Sequence, residues 1–225
     1  MKAAVIVFPG TWSDADTVWA LGKCGIRADK VWHRTDDLSG YDLVVLPGGF
    51  SYGEYLRCGS IARFSPVMKA VRRHAEGGGL LVGICNGFQI LCEAGILPGV
   101  LMRNSSLQFR CKDTYLSPEN LDSAFTSGLD KNRTYQIPMS HGEGRYVVSS
   151  TDLEILEKNG QIAFRYASRS GEVSADTNPN GSIANIAGVF NSEKNILGMM
   201  PHPERACEML LGSDDGNRIW ESLLS

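Results

Sequence analysis

Three runs in this chain are apolar almost without interruption: "AAVIVF" (3–8), "YDLVVLPGG" (41–49) and "LLVGIC" (80–85). A strand with one face in water alternates apolar and polar residues. A strand that is apolar at nearly every position is buried on both faces, which is the condition of a parallel sheet covered by helices. Segments with helical start and stop signals lie between these runs. In "SDADTVWALGKCG" (13–25), Ser13 can cap, acids occupy the first turn and Gly25 ends the helix. "ADKVWH" (28–33) reads as a second strand, and "SPVMKAVRRHAEGGG" (65–79) as a helix with Ser65 as cap and Pro66 in the first helical position. "NGFQILCEAG" (86–95) is a short helix with Phe88, Leu91 and Cys92 on one face. The alternation predicts a doubly wound α/β fold with a mostly parallel sheet.

The second half changes character. "SLQFRCKDTYLS", "EGRYVVS", "QIAFRYAS" and "SIANIAGVF" look like strands joined by turns, an antiparallel extension or a continuation of a mixed sheet, and "DDGNRIWESLL" (214–224) closes as a helix. No linker or repeat interrupts the chain, so a single domain over 1–225 is expected. The net charge is −3 with both signs interspersed and no basic run, which gives no electrostatic support for a nucleic-acid or anionic-membrane surface. No apolar stretch approaches the roughly 20 residues of a membrane span, and the apolar start is too short for a signal sequence. A cytoplasmic protein is expected.

None of the six cysteines is paired as C-x-x-C and no H-E-x-x-H occurs, so free thiols and no metal are expected. One cysteine is set apart by its surroundings. In "GICNGFQ" (83–89), Cys85 stands between a strand and a helix, where open α/β sheets bind ligands. A helix N-terminus there favours a thiolate and offers N–H groups to a developing oxyanion. The same stretch is also compatible with a plain glycine-rich turn and an inert thiol. A nucleophile needs a base, and "LGMMPHPERA" (197–206) offers His202. The prolines at 201 and 203 push Met200 and His202 to extended backbone, where positions i and i+2 share a side, so Glu204 can orient His202. Both motifs follow apolar runs, "LLVGI" and "ILGMM", and meet if those runs are neighbours in one sheet. Gly48 and Gly49 of "LPGG" could supply a second oxyanion donor.

The G-x-C-x-G-x-Q elbow, the upstream "LPGG" and the C-terminal "PHPE" together resemble the class I, triad-type glutamine amidotransferases. "CNGFQ", "GGFSYGEYLRCG" and "SHGEGRY" (140–146) are similar to the separate glutaminase subunits of phosphoribosylformylglycinamidine synthase. The resemblance implies Cys85 as nucleophile, His202 as general base and acid, and Glu204 as its orienting partner. It implies an oxyanion hole from the Gly49 and Asn86 amides, and substrate contacts from Gln89 and from Ser140, His141, Gly142 and Glu143, mainly through backbone. It implies no cofactor in this chain. ATP and magnesium are expected on a large synthetase subunit that consumes the ammonia, with a small third subunit bridging the two. This agrees with the lack of G-x-x-x-x-G-K-[ST] and G-x-G-x-x-G motifs. Other readings are a glutaminase of another pathway, a DJ-1-type elbow protein without glutaminase activity or a thiol hydrolase, and a non-enzymatic flavodoxin-like binding or interaction module. "PHPE" separates the glutaminases from the elbow proteins and thiol hydrolases, which lack it at this place.

Overall fold

The structure is a computed structural model that describes residues 1–224. Its centre is a nine-stranded sheet. In chain order the strands and helices of the first half are β1 (Lys2–Val7), α1 (Asp14–Lys23), β2 (Arg27–Trp32), β3 (Leu43–Leu46), α2 (Val67–Glu76), β4 (Leu80–Ile84) and α3 (Asn86–Glu93). The second half adds β5 (Val100–Met102), β6 (Arg110–Pro118), β7 (Tyr135–His141), β8 (Arg145–Val147), α4 (Ser150–Lys158), β9 (Ile162–Ala167), β10 (Ile186–Phe190), β11 (Ile196–Met199) and α5 (Asn217–Ser222).

The strand order is β2-β1-β3-β4-β11-β10-β9-β6-β7, with β5 and β8 forming a separate antiparallel pair. The five strands from β2 to β11 are mutually parallel, and β10, β9, β6 and β7 extend the sheet antiparallel. Strands β3 and β11 are buried at every residue, as their apolar runs require. The step from β1 to β2 and the step from β3 to β4 run in opposite directions across the sheet. Right-handed crossovers therefore put α1 and α2 on opposite faces. Between β1 and β3 the order reverses, and there the loops after the two strands meet in a Thr11–Gly49 bridge.

The expected elements of the first half are present, with ends that differ by no more than three residues. Two predicted caps are not. Ser13 and Ser65 make no side-chain cap, because tertiary partners take their hydroxyls. Ser13 Oγ accepts from Arg205 at 2.8 Å, and Ser65 Oγ bonds the Tyr52 hydroxyl at 2.9 Å. In the second half, β5, β7 and α4 have no counterpart in the expectation. The strand expected over 182–190 begins only at Ile186, after a 3-10 turn at Ile183–Asn185.

Candidate active site

Cys85 is the residue between β4 and α3, and its backbone is the strained point of the turn, with φ 49° and ψ −106°. An L-residue in that region costs about 1–3 kcal/mol, so the surrounding packing must impose it. The flanking glycines serve close approach, not φ freedom. A Cβ on Gly87 would lie 1.8 Å from the Leu46 carbonyl oxygen, and one on Gly83 would lie 2.8 Å from the backbone of Gly87. The start of α3 is thus pressed onto the end of β3. The Cys85 N–H donates to the Met199 carbonyl at 2.8 Å, and Sγ lies 3.6 Å from the Ser140 carbonyl.

β11 is the parallel neighbour of β4, with Met199 opposite Ile84, so the two motifs leave the sheet at the same level. His202 follows three residues later. Its N–H donates to the Pro138 carbonyl of β7 at 2.8 Å, and its Nδ1 lies 2.6 Å from Glu204 Oε1. The pairing is the expected one, but the backbone differs. His202 is extended (φ −104°, ψ 88°), whereas Pro203–Arg205 form a 3-10 turn, because Pro203 pre-sets the helical φ of a first turn. Gly48 makes room for the ring, since a Cβ there would sit 2.7 Å from His202 Cε1. Burial disfavours the imidazolium, but the Glu204 carboxylate and then Cys85 outweigh it, and the His202 pKa is raised above the ordinary imidazole value. With Nδ1 held by Glu204, Nε2 is the nitrogen left for chemistry. It has no protein hydrogen-bond partner among the described residues.

The glycine pair after β3 is clamped by the loop after β1. Trp12 and Ser13 N–H donate to the Gly48 carbonyl at 3.1 and 3.0 Å, and Phe50 N–H donates to the Gly10 carbonyl at 2.9 Å. Gly49 has φ +155°, and a Cβ there would meet Trp12 N at 2.6 Å. Among the described residues, the N–H groups of Gly49 and Asn86 donate to no protein acceptor, as an oxyanion hole requires. A cleft of about 300 Å³ is lined by Gly49, Cys85, Ser140 and His202, with Trp12, Phe50, Ser13 and Arg205 completing it. The last four were not expected from the sequence. Arg205 adjoins "PHPE" in sequence, but what aims Trp12 and Arg205 at the cleft is the Thr11–Gly49 bridge and the Arg205–Ser13 bond.

The "SHGE" segment is only partly in the cleft. Ser140 lines it. The His141 imidazole is buried behind it, against the backbone of Gly144, with Nδ1 3.1 Å from Asn104 Oδ1. Asn104 Nδ2 donates to the carbonyls of Gln108 and His141, which fixes the amide orientation and puts the His141 proton on Nδ1. Burial, with the charge on His202, pushes the His141 pKa down to about 3, so this ring is neutral and packs as a wedge. Gly142 follows in the turn, and Glu143 pairs with Arg103 at 3.5 Å beside a neighbouring groove. Gln89, expected as a substrate contact, is 4% exposed and committed at both ends. Its Nε2 donates to the Glu143 carbonyl at 2.6 Å, and its Oε1 accepts from Asn86 Nδ2 at 3.0 Å. It braces the site from behind the cleft.

Comparison with known proteins agrees with this geometry. A family profile described as a CobB/CobQ-like glutamine amidotransferase domain matches residues 1–221, which places the chain within the glutamine amidotransferase class. The phosphoribosylformylglycinamidine synthase subunit PurQ of Moorella thermoacetica is 53% identical over 225 residues, covering 100% of this chain and 95% of that protein. The PurQ subunit of Gloeobacter violaceus is 54% identical over 226 residues, covering 100% and 97%. The structure of PurLQS from Thermotoga maritima contains a chain that superposes with a TM-score of 0.88 at 41% identity, covering 99% and 97%. The chain belongs to the PurQ family, the glutaminase subunits of phosphoribosylformylglycinamidine synthase.

Proposed function

We propose that Cys85, His202 and Glu204 hydrolyse glutamine for this synthase. The reading rests on one observation above the others: the thiol elbow and the His202–Glu204 pair leave adjacent parallel strands in register, around one cleft. Cys85 gives its thiol proton to His202 Nε2, and Sγ attacks the carboxamide carbon of glutamine. The oxygen takes the negative charge and is held by the N–H groups of Gly49 and Asn86. His202 Nε2 gives its proton to the nitrogen, the C–N bond breaks, and ammonia leaves a thioester on Cys85. Water then gives a proton to Nε2 and attacks the thioester, which releases glutamate and restores the thiol. Glu204 holds the imidazole in the required tautomer and stabilises its cation. Ser140 borders the substrate, and the backbone of the turn through Gly142 and Glu143 supports it.

The ammonia passes to the synthetase subunit, within a three-component assembly of the kind that the PurLQS structure is named for. ATP and magnesium act on that partner. Among the described residues no helix is long and apolar enough to cross a membrane. The six free cysteines suit a reducing cytoplasm.

The test is chemical. 6-Diazo-5-oxonorleucine, a glutamine-like electrophile, modifies Cys85 alone among the six. Burial pushes the thiols of Cys24, Cys58, Cys92 and Cys207 up, and exposed Cys111 serves as the internal control. Cys85→Ala abolishes glutamine-dependent synthesis by the complex, a loss of about 10⁴-fold or more, while ammonia-dependent synthesis persists. Equal labelling of Cys111 and Cys85, or loss of both syntheses, rejects the assignment.

A further inference from the structure

The proposed chemistry calls only on the backbone N–H of Asn86, yet its side chain is polar and 1% exposed. A buried amide without a task costs free energy, so its partners matter. Its Oδ1 accepts from Ser51 N–H at 3.2 Å, two residues after Gly49. Its Nδ2 donates to Gln89 Oε1 at 3.0 Å, and Gln89 Nε2 donates to the Glu143 carbonyl at 2.6 Å. This chain of bonds starts at a backbone N–H, which can only donate, and ends at a backbone carbonyl, which can only accept. Both side-chain amides are therefore fixed in one orientation each, and every bond runs in the same sense. An amide suits the first position, because it accepts at one end and donates at the other.

We propose that the Asn86 side chain is a positioning residue for glutamine hydrolysis. Through Ser51 N–H it fixes the loop at Gly49 against the elbow, and through Gln89 it fixes the Ser140–Glu143 segment on the opposite side. The two walls of the cleft come from loops far apart in sequence, and this relay runs between them beneath the cleft. The loop it holds needs holding. After Gly49 the backbone passes through positive φ at Tyr52 (54°), Gly53 (69°), Glu54 (57°) and Leu56 (69°), a succession of conformations that L-residues disfavour. The Asn86 bond to Ser51 N–H stands between that loop and the Gly49 amide.

The inference rests on Cys85 being the nucleophile, which the Cys85→Ala measurement tests separately. Its own test is Asn86→Leu, which keeps the backbone N–H and roughly the volume while removing both bonds. A displacement of order 1 Å in an oxyanion donor costs up to about 10²-fold, so kcat for glutamine falls about 10–100-fold. Alkylation of Cys85 by iodoacetamide, read by peptide mass, stays within about twofold of the parent protein. Displacement of iodide puts no charge on a carbonyl oxygen and needs no oxyanion hole. Gln89→Leu breaks the same relay from its far end, and the double variant is no slower than Asn86→Leu alone. An unchanged kcat in Asn86→Leu overturns the proposal. So does alkylation that falls in step with kcat, because the elbow itself would then be damaged, and so does strict additivity of the two substitutions. If Asn86→Leu does not yield folded protein, an unaltered kcat in Gln89→Leu overturns it.

Discussion

The parallel and antiparallel halves of the sheet contribute to one cleft in different ways. The parallel half delivers Cys85, Gly49 and the His202–Glu204 pair from the ends of β4, β3 and β11, with glycines pressed between backbones. The antiparallel half brings none of the proposed reacting groups. Through β7 it supplies the wall, namely the Ser140 carbonyl beside Sγ and the Pro138 carbonyl that accepts the His202 N–H. The proposed reacting groups thus sit beside glycines whose backbone contacts leave no room for a methyl, whereas Gly142, just beyond β7, has that room.

The sharpest way to break this comparison is to make the same substitution in both halves. Gly87→Ala forces a methyl to within 1.8 Å of the Leu46 carbonyl oxygen, a backbone clash that no rotamer relieves. A loss of about 3 kcal/mol or more is expected from the denaturation midpoint. Gly142→Ala, beyond β7, meets only Phe109 Cδ2 at 3.6 Å and should stay within about 0.5 kcal/mol of the parent protein. Equal costs at the two positions would end the comparison.

A subtler contrast separates the two buried histidines. His202 in the parallel half has a raised pKa. Its contribution to stability is present in full below the unfolded imidazole value near 6.5 and is lost as pH rises through the folded value. His141 in the antiparallel half has a pKa lowered to about 3. Stability that depends on its neutral form is present above 6.5 and is lost as pH falls from there towards 3. Denaturant titrations at pH 5, 6.5 and 8.5 should show the parent minus His141→Asn difference shrinking on the acid side only. A difference that shrinks on the alkaline side instead would reverse the assignment.

The smallest effect belongs to α4, which lies between β8 and β9. Ser149 Oγ accepts from Asp152 N–H at 3.1 Å and donates to its carboxylate at 2.7 Å. Ser149→Ala should cost about 1 kcal/mol and leave kcat unchanged. A change in kcat would mean that this helix communicates with the cleft.

The same division governs what the sequence disclosed. Doubly buried strands announce themselves by composition, so β1, β3 and β4 were legible, as were the motifs at their ends. The run "ILGMM" read as strand-like, and in the structure it is β11, the parallel neighbour of β4. Strand β7 escaped notice although Tyr135, Ile137, Met139 and His141 alternate as buried positions, because Pro138 argues against a strand. The proline is tolerated because β7 is the outer strand of the order. Helix α4 carries its cap in plain view, but with Leu156 alone buried its apolar stripe is too narrow to see. Cys85, His202 and Glu204 could be read from local chemistry. Trp12, Phe50, Arg205 and the relay through Asn86 could not, since each acquires its role from a loop distant in sequence.

Cys85 adopts a backbone conformation that suits the first central residue of a type II′ turn, a position that favours glycine. Selection for heat resistance alone would therefore pull this position towards glycine, and the most durable descendants of the chain would be the ones with no thiol to offer. Any library built to harden this protein has to be screened for ammonia released from glutamine, or it will be enriched for inert scaffolds.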